Sequence, residues 1–502
     1  MLNKIPLLLV TLTLASLALT SSALAQDPTE DKINFDDYAL DLIDYTLPNG
    51  LRVILAEDHS APVVAVDIWY HVGGANDPEG RSGFAHMFEH MMFEGSANVA
   101  DNEYFRLLEE VGAQNNAYTS LDKTAYWEVA PANELPRVLW LESDRMAALN
   151  VTQKAFENQR EVVIEEYNQR VANRPYGESG RRILTLPFQG YVPYERSNIG
   201  SPEDLLAANL DEIQAFHDIY YKPNNATLVI VGDIDVELTK LLVQAYFGDI
   251  PAGDPLTPIT VQYPLPEEFP VLSTDPETGC LIGYDETLID TQVELSRHIS
   301  MVVAPPRGEA DFYALSLLVD ILGGGDSSRL EQNIVRQGLA AAAFAGLIDS
   351  LGGTIVYTGV FPQAGDSIEN GQALVQAEID KVIADGVTEE ELERVKTQQL
   401  VNTIISFRES TLNTAEWIQD AVLTFGDPNA IGDELDMYQA VTTDDIQRVA
   451  QTYFCERPVN TLVTLPDGEE TLADYPGLLV EPIEIIDVSS EPASPIEEIE
   501  IT

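Results

Sequence analysis

Basic residues are scarce in this sequence. Lysine and arginine together number 27, against 83 aspartates and glutamates, which gives a formal net charge of −56. Nucleic acids and anionic lipid surfaces are bound mainly through lysine and arginine, so neither is expected as a main partner. Two interpretations of the acidity stay open, a strongly solvated surface or a field that attracts basic substrates.

Cysteines and long apolar runs are also scarce. The two cysteines, Cys280 and Cys455, lack the Cys-x-x-Cys spacing of a thiolate metal site, and a catalytic role is not expected for either. They could pair in an oxidising compartment or remain free thiols, and the sequence leaves both possibilities open. No stretch after the N-terminus is apolar for long enough to cross a bilayer, so no membrane span is expected once the leader is removed.

The N-terminus has the pattern of a signal peptide. Lys4 precedes an apolar run over residues 5–20, and Ala23 and Ala25 form a small-x-small cleavage site. The run is short for a membrane anchor, and acidic residues follow it. Residues 1–25 are therefore predicted to be removed, and the mature protein is expected to be periplasmic or secreted.

The rest of the chain reads as two similar α/β domains that arose by internal duplication. Ile213 and Gln214, followed by the strand that begins at Thr227, match Ile446, Gln447 and the strand that begins at Thr461. The predicted fold class is α+β, with a mixed sheet in each half and helices packed on one face. The boundaries are an N-terminal domain at 40–250, a Pro-rich linker at 251–276, a C-terminal domain at 277–476 and an acidic disordered tail at 477–502.

The informative motif is His-x-x-Glu-His within residues 83–95. On a helix, His86 and His90 lie one turn apart on one face and can offer two imidazole nitrogens to one metal ion. Glu89 lies on the same side, where it could take a proton from a metal-activated water. The alternative is a buried helix whose polar groups satisfy one another, but the whole chain has only six histidines, so this pattern is unexpected by chance.

A catalytic zinc usually keeps three protein ligands and one open position, so a third ligand is needed. The best candidate segment is a helical run at 158–170, which carries Glu161, Glu165 and Glu166. Helical periodicity alone does not choose among these three acids.

The motif and its surroundings resemble the pitrilysin and mitochondrial-processing-peptidase family of zinc peptidases. The order His-x-x-Glu-His is that of the inverted zincins, and residues 112–126, 199–201 and 221–226 match further family landmarks. The resemblance covers residues 47–466. It implies that Glu166 is the third ligand, that one Zn²⁺ binds per chain, and that Asn116 and Ala117 lie on an edge strand that pairs with the substrate backbone.

The resemblance also implies an assembly. Chains of this length in the family pair as clamshell-like dimers whose four domains enclose a chamber for unfolded or short peptides. Many relatives carry an acid seven residues before the ligand Glu, where this chain has Gln159, so a supporting carboxylate would be absent or come from Glu161. Active relatives also carry an Arg and a Tyr in the second domain, where this chain has Ile334 and Ala341. A related chain in a heterodimer is therefore expected to supply that pair.

The predicted function is a zinc-dependent endopeptidase that hydrolyses peptides or unfolded segments in the cell envelope, with Glu89 as general base. Two alternatives stay open. One is a non-catalytic scaffold of the same fold, because fold does not fix function. The other is a zinc-dependent binding protein without turnover.

Overall fold

The computed structural model describes residues 40–101, 103–256, 270–276 and 278–467, and the backbone of 478–480. The predicted signal peptide lies outside this part of the chain, as do half of the predicted linker and most of the acidic tail. The described part forms two mixed β-sheets with helices, one sheet in each half.

The first sheet has six strands in the order β1-β2-β6-β3-β5-β4. The inner strands are mostly buried, and their side chains are largely apolar apart from the buried acids Asp67 and Glu128, as expected for strands covered on both sides. Strand β4 forms one edge, and among the described residues it pairs only with β5. The strands are β1 (Leu42–Thr46), β2 (Arg52–Glu57), β3 (Val63–Tyr70), β4 (Gln114–Thr119), β5 (Thr124–Pro131) and β6 (Ala226–Gly232).

Eight helices accompany this sheet in the described part of the first half. Several begin with a side-chain cap: Ser201 and Asn209, for example, accept backbone N–H groups of the first turn of their helices. The helices are α1 (Phe84–Met91), α2 (Glu103–Glu109), α3 (Leu135–Ala148), α4 (Gln153–Tyr167), α5 (Gly177–Thr185), α6 (Pro202–Ala207), α7 (Leu210–Tyr220) and α8 (Val236–Phe247).

The second sheet has the order β10-β11-β9-β12-β8-β13, and β7 pairs with β8 outside this path. Its strands are β7 (Ser273–Thr274), β8 (Leu281–Asp290), β9 (Arg297–Ala304), β10 (Ala340–Ile348), β11 (Thr354–Pro362), β12 (Val459–Pro466) and β13 (Leu478–Val480). The helices are α9 (Ala310–Gly323), α10 (Ile368–Asp385), α11 (Glu389–Arg408), α12 (Thr411–Phe425), α13 (Ile431–Ala440) and α14 (Thr443–Phe454).

The two sheets share one topology, which confirms the prediction of two similar α+β domains. The run β2-β6-β3-β5-β4 corresponds strand by strand to β8-β12-β9-β11-β10, and the same neighbours are parallel in both sheets. Helices α7 and α14, which carry the repeated sequence motifs, precede the equivalent strands β6 and β12. Strand β10 is therefore the counterpart of the edge strand β4.

Each half covers one face of the other half's sheet. Helices of the first half cover one face of the first sheet, and helix α12 of the second half covers the other, packing Ala415, Ile418 and Val422 against β2, β3 and β6. Conversely, the segment after α5 packs Leu186 and Phe188 against the second sheet. In each half, the half's own helices thus pack on one face of its sheet, as predicted. The opposite face of each sheet is covered by elements of the other half.

The structure differs from one sequence-based expectation, that of the disordered tail, and decides between the two alternatives for the cysteines. Leu478–Val480 pair in parallel with β8, so these three residues belong to a sheet and not to a disordered tail. Cys280 and Cys455 form a disulfide across 175 positions of the sequence, which joins the start of β8 to the end of α14. No helix within the described residues is long and apolar enough to cross a membrane.

Candidate metal centre and active site

Helix α1 begins at a tightly packed loop junction that fixes its position. The buried Asp77 carboxylate accepts the backbone N–H of Gly83 at 2.6 Å and of Ala85 at 2.9 Å, and so caps the helix start. Gly200 has φ +80°, and a Cβ on it would lie 2.5 Å from the Ser82 carbonyl oxygen. The loop around Gly200 can therefore approach the helix start only because it lacks a side chain there.

Three side chains on α1 and α4 converge on one point. Nε2 of His86 lies 3.5 Å from Oε2 of Glu166, and Nε2 of His90 lies 3.3 Å from the same oxygen. One ligand atom from each residue falls within 4.8 Å of the other two. His86 is buried, whereas His90 and Glu166 are partly exposed.

These separations fit a tetrahedral metal. Two ligand atoms bound at about 2.0–2.1 Å with a tetrahedral angle stand roughly 3.3–3.4 Å apart, close to both measured distances. Two imidazoles and one carboxylate are also a donor set found at catalytic zinc. The residues present therefore fit a zinc ion held by His86, His90 and Glu166.

Helix α4 turns Glu166 toward the histidines and its other two candidate acids outward. Glu161 and Glu165 are exposed, and neither belongs to the three-residue group. Helical periodicity did not choose among the three acids, so the prediction of Glu166 rested on the family resemblance alone. The packing of α4 against α1 gives the choice of Glu166 a geometric basis.

The ionisation of the group follows from burial and charge. Burial, helped by the nearby His90, lowers the pKa of His86 to about 4. Burial also acts to lower the pKa of His90, but the hydrogen bond to Glu166 and the charges of Glu89 and Glu166 outweigh it and raise that pKa. The hydrogen bond from His90 holds the pKa of Glu166 below its usual value.

Glu89 stands beside this group without belonging to it. The Thr119 hydroxyl donates to Oε2 of Glu89 at 2.7 Å. Burial raises the pKa of the Glu89 carboxyl, although Thr119 and His90 act in the opposite direction. Thr119 was not among the residues predicted from the sequence, although strand alternation indicates it, because it shares a face with Ala117 two residues earlier.

The edge strand β4 passes next to this site. Asn116 and Ala117 lie in the middle of β4, which packs against α1, and Thr119 ends the strand at Glu89. Only one side of β4 is paired within the described residues. Its other side therefore has no neighbouring strand among the described residues.

In the second half, the two positions where active relatives carry an Arg and a Tyr hold no polar side chain in this chain. Ile334 is buried in the core of that half. Ala341 is exposed on β10, at an irregularity in its pairing with β11, so core packing does not explain its apolar character. Arg329, which is nearby in sequence, is held by Glu391.

Two mixed-sheet domains of one topology, with a His-x-x-Glu-His helix packed on the edge strand of the first, define a class of duplicated α+β proteins. Residues 52–178 match the family model described as insulinase (peptidase family M16), and residues 207–399 match that of the peptidase M16 inactive domain. The chain belongs to peptidase family M16, the pitrilysin-like family, as the motifs predicted.

Known relatives support this assignment over most of the chain. The zinc protease PqqE of Helicobacter pylori is 28% identical over 426 residues, which cover 84% of this chain and 92% of that protein. The mitochondrial-processing peptidase subunit beta of Lentinula edodes is 23% identical and covers 82% of this chain and 87% of its own. The crystal structure of a protease from Helicobacter pylori superposes with a TM-score of 0.75 at 27% identity, over 85% of this chain and 100% of that one.

Proposed function

We propose that this chain is a zinc-dependent endopeptidase of the cell envelope that hydrolyses peptides or unfolded segments. The observation that carries the proposal is the convergence of His86, His90 and Glu166 beside Glu89, at distances that suit tetrahedral zinc. The relatives named zinc proteases agree with it.

Each side chain has a defined part in the proposed reaction. His86, His90 and Glu166 would hold the zinc, which when bound would act as a Lewis acid on the scissile carbonyl and make water more acidic. Glu89 takes the proton of the attacking water and returns it to the leaving amine. The Thr119 hydroxyl donates to the Glu89 carboxylate and holds its orientation for both steps.

The substrate would bind along β4. Main-chain hydrogen bonds from an edge strand grip an extended peptide of any sequence, with Asn116 and Ala117 at the centre of the contact. This mode favours unfolded or short chains, because a folded protein offers few free backbone groups. The acidic charge of the chain would favour basic peptides.

A second candidate is a chain that holds zinc but cleaves only as part of a dimer with a related chain. Ile334 and Ala341 favour it, because neither can bind a substrate carbonyl or the charge that develops during hydrolysis. In that dimer the related chain would supply the Arg and Tyr. The non-catalytic scaffold is disfavoured, because a scaffold has no need of three converging ligands beside the partly buried Glu89 carboxyl.

The mature chain, purified from residue 26 onward, tests these alternatives. Zinc content by elemental analysis and cleavage of an unstructured peptide library are measured with and without the related chain. Zinc with cleavage by the single chain supports the endopeptidase, and cleavage only after the related chain is added supports the dimer. Absence of zinc after reconstitution would overturn both.

A further inference from the structure

A cavity of about 250 Å³ lies on the face of the first sheet opposite helix α1. Neighbouring residues of a strand point to opposite faces, so Tyr118 points away from the side on which Thr119 meets Glu89. Tyr118 pairs with Ala125, and Ala125 pairs with Trp69, so these three side chains share one face. The small Ala125 leaves room between the two rings, which meet edge to face with centroids 6.4 Å apart. The floor of the cavity therefore extends to the edge strand β4.

Helix α12 of the second half forms the opposite wall of this cavity. The helix packs chiefly on β3 and β6, so the outer strands β5 and β4 extend beyond it. Asn413, Glu416 and Trp417 line the cavity from α12, and each of them is partly exposed. The cavity is therefore an open groove between α12 and the edge strand. Pockets for whole small ligands usually measure about 300–1,000 Å³, so this groove suits a single side chain.

Glu416 is the acid of this groove that lacks a counter-charge. Its neighbour Asp420, one turn further along α12, is held by the Arg307 guanidinium and lies 3.9 Å from Nζ of Lys123. Glu416 itself forms no ion pair within the described part of the chain. Burial raises the pKa of the Glu416 carboxyl, although Lys123 acts in the opposite direction. A half-buried carboxylate without a cation is costly, so the groove has a place for a positive charge from outside.

The aromatic walls of the groove already hold one ammonium group. Nζ of Lys123 lies 3.1 Å from the centroid of the Trp69 ring and 5.6 Å from that of Tyr118. The face of an aromatic ring attracts a cation within about 6 Å of its centroid. Tyr118 and Trp417 are partly exposed in the same groove. A second cation that enters beside Glu416 would therefore meet aromatic rings as well as a carboxylate.

We propose that this groove receives a basic side chain of the peptide bound along β4, with Glu416 as its counter-charge. A peptide that pairs with β4 continues the sheet, so its side chains point alternately to the two faces. Those on the face of Tyr118 reach the groove, and their neighbours point to the face of α1. Glu416 is thus a specificity-determining residue. The inference rests on the proposed function in that the peptide is taken to bind along β4.

The preference proposed here differs from an effect of net charge. The overall acidity of the chain attracts basic peptides wherever their charges lie. A single carboxylate in a groove beside β4 instead selects a basic residue at one position of the peptide. That position has a fixed distance from the cleaved bond, because Tyr118 directly precedes Thr119, which contacts the proposed general base Glu89.

A series of unstructured peptides tests the proposal. Each peptide carries one lysine at a different position of an otherwise neutral sequence, and a matched set carries norleucine instead. Cleavage should occur at a fixed distance from the lysine, which mass spectrometry of the products locates. At that position lysine should be preferred over norleucine about tenfold in kcat/KM, the effect of one charge-assisted contact. Lysine one residue away should give no preference, because its side chain points to the other face.

Variants at position 416 identify the carboxylate responsible. In Glu416→Gln the preference for lysine should largely disappear, because the amide has nearly the same shape but no charge. In Glu416→Lys the preference should reverse, so that a peptide with glutamate at that position is cleaved faster than one with lysine. A structural defect would slow the cleavage of all peptides alike. The matched control is Glu390→Lys, an exposed position of α11 about 24 Å along the helix from Ser406, where α11 reaches the groove. The control should keep the preference for lysine.

Peptide binding separates this inference from the proposed function. In the Glu89→Gln background, fluorescence anisotropy gives the dissociation constants of the lysine and norleucine peptides without cleavage. The lysine peptide should bind about tenfold more tightly, and adding Glu416→Lys should abolish this difference. Circular dichroism confirms that each variant is folded.

Three outcomes remain distinct. A preference for lysine that is unchanged in both folded variants at position 416 would overturn the inference and leave the peptidase intact. Selective binding without cleavage by the unaltered chain, alone or with the related chain, would refute the endopeptidase and support the groove. Absence of binding of every peptide would overturn both.

Discussion

At the scale of single residues, two neighbouring acids of the candidate site make different contacts. Glu89 and Glu166 are both half-buried near the same two histidines. Only Glu166 places a carboxylate oxygen close to Nε2 of both His86 and His90, at 3.5 and 3.3 Å. Glu89 faces Thr119 on the edge strand. Removing each acid should therefore have a different effect.

We expect Glu89→Gln to abolish most cleavage while zinc stays bound. The amide has nearly the same shape but cannot take the proton of the attacking water, and loss of a general base costs about 10²–10⁴ in rate. Measurement of kcat together with zinc stoichiometry checks this. Full activity in a zinc-loaded Glu89→Gln protein would contradict the proposed base.

We expect Glu166→Ala to weaken zinc binding by orders of magnitude, because two imidazoles alone leave the site one ligand short. The matched control is Glu165→Ala, which removes the adjacent exposed acid of the same helix and should keep both zinc and activity. Competition with a zinc-binding dye gives the two dissociation constants. Equal values would show that the third ligand lies elsewhere.

At the scale of elements, side chains at the helix ends join one element to the next. Thr388 and Glu391 form a capping box at the start of α11, and the Glu391 carboxylate also binds the Arg329 guanidinium at 2.7 and 2.9 Å. The hydrogen bond from Arg329 lowers the pKa of Glu391 to about 2. One carboxylate thus caps a helix and ties it to the segment after α9.

We expect Glu391→Gln to lower the free energy of unfolding by about 1 kcal/mol at pH 7, a value reduced for solvent screening of a partly exposed pair. The folded-state pKa is depressed, so the carboxylate stabilises the fold fully above the usual pKa of 4.5 and loses this effect as pH falls toward about 2. The difference between variant and unaltered chain should therefore narrow below pH 4.5. Urea denaturation from pH 7 to 3 measures it, with the exposed Glu390→Gln as control. A difference independent of pH would contradict the assignment.

At the scale of the whole molecule, the two halves are mutually dependent. Helix α12 of the second half covers the first sheet, and Gln419 on it donates to the carbonyls of Asp67 and Thr227 at 2.8 and 2.9 Å. A segment of the first half covers the second sheet in return. Each half therefore relies on the other to bury one face of its sheet, and neither is expected to fold alone.

We expect Cys280→Ser/Cys455→Ser to destabilise the chain by about 2–4 kcal/mol, because the crosslink restricts the unfolded chain across 175 positions. Urea denaturation of the double variant and of the unaltered chain, each with and without a reducing agent, measures this. The reducing agent should lower the midpoint of the unaltered chain only. Identical midpoints for the two oxidised proteins would show that the cysteines do not pair in solution. A disulfide also agrees with the proposed export to an oxidising compartment.

The sequence by itself determined the family, the two-domain α+β fold and the motif residues His86, Glu89 and His90. These depend on local spacing: one helical turn sets the two histidines on one face, and hydrophobic patterns repeated about 233 positions apart indicate a duplicated fold. Only the tertiary structure showed by geometry which acid of α4 faces the histidines and that each half covers one face of the other half's sheet. It also decided that Cys280 meets Cys455. Each of these is a contact between residues distant in the chain, and such contacts arise when elements pack, a step that local propensity and periodicity do not encode.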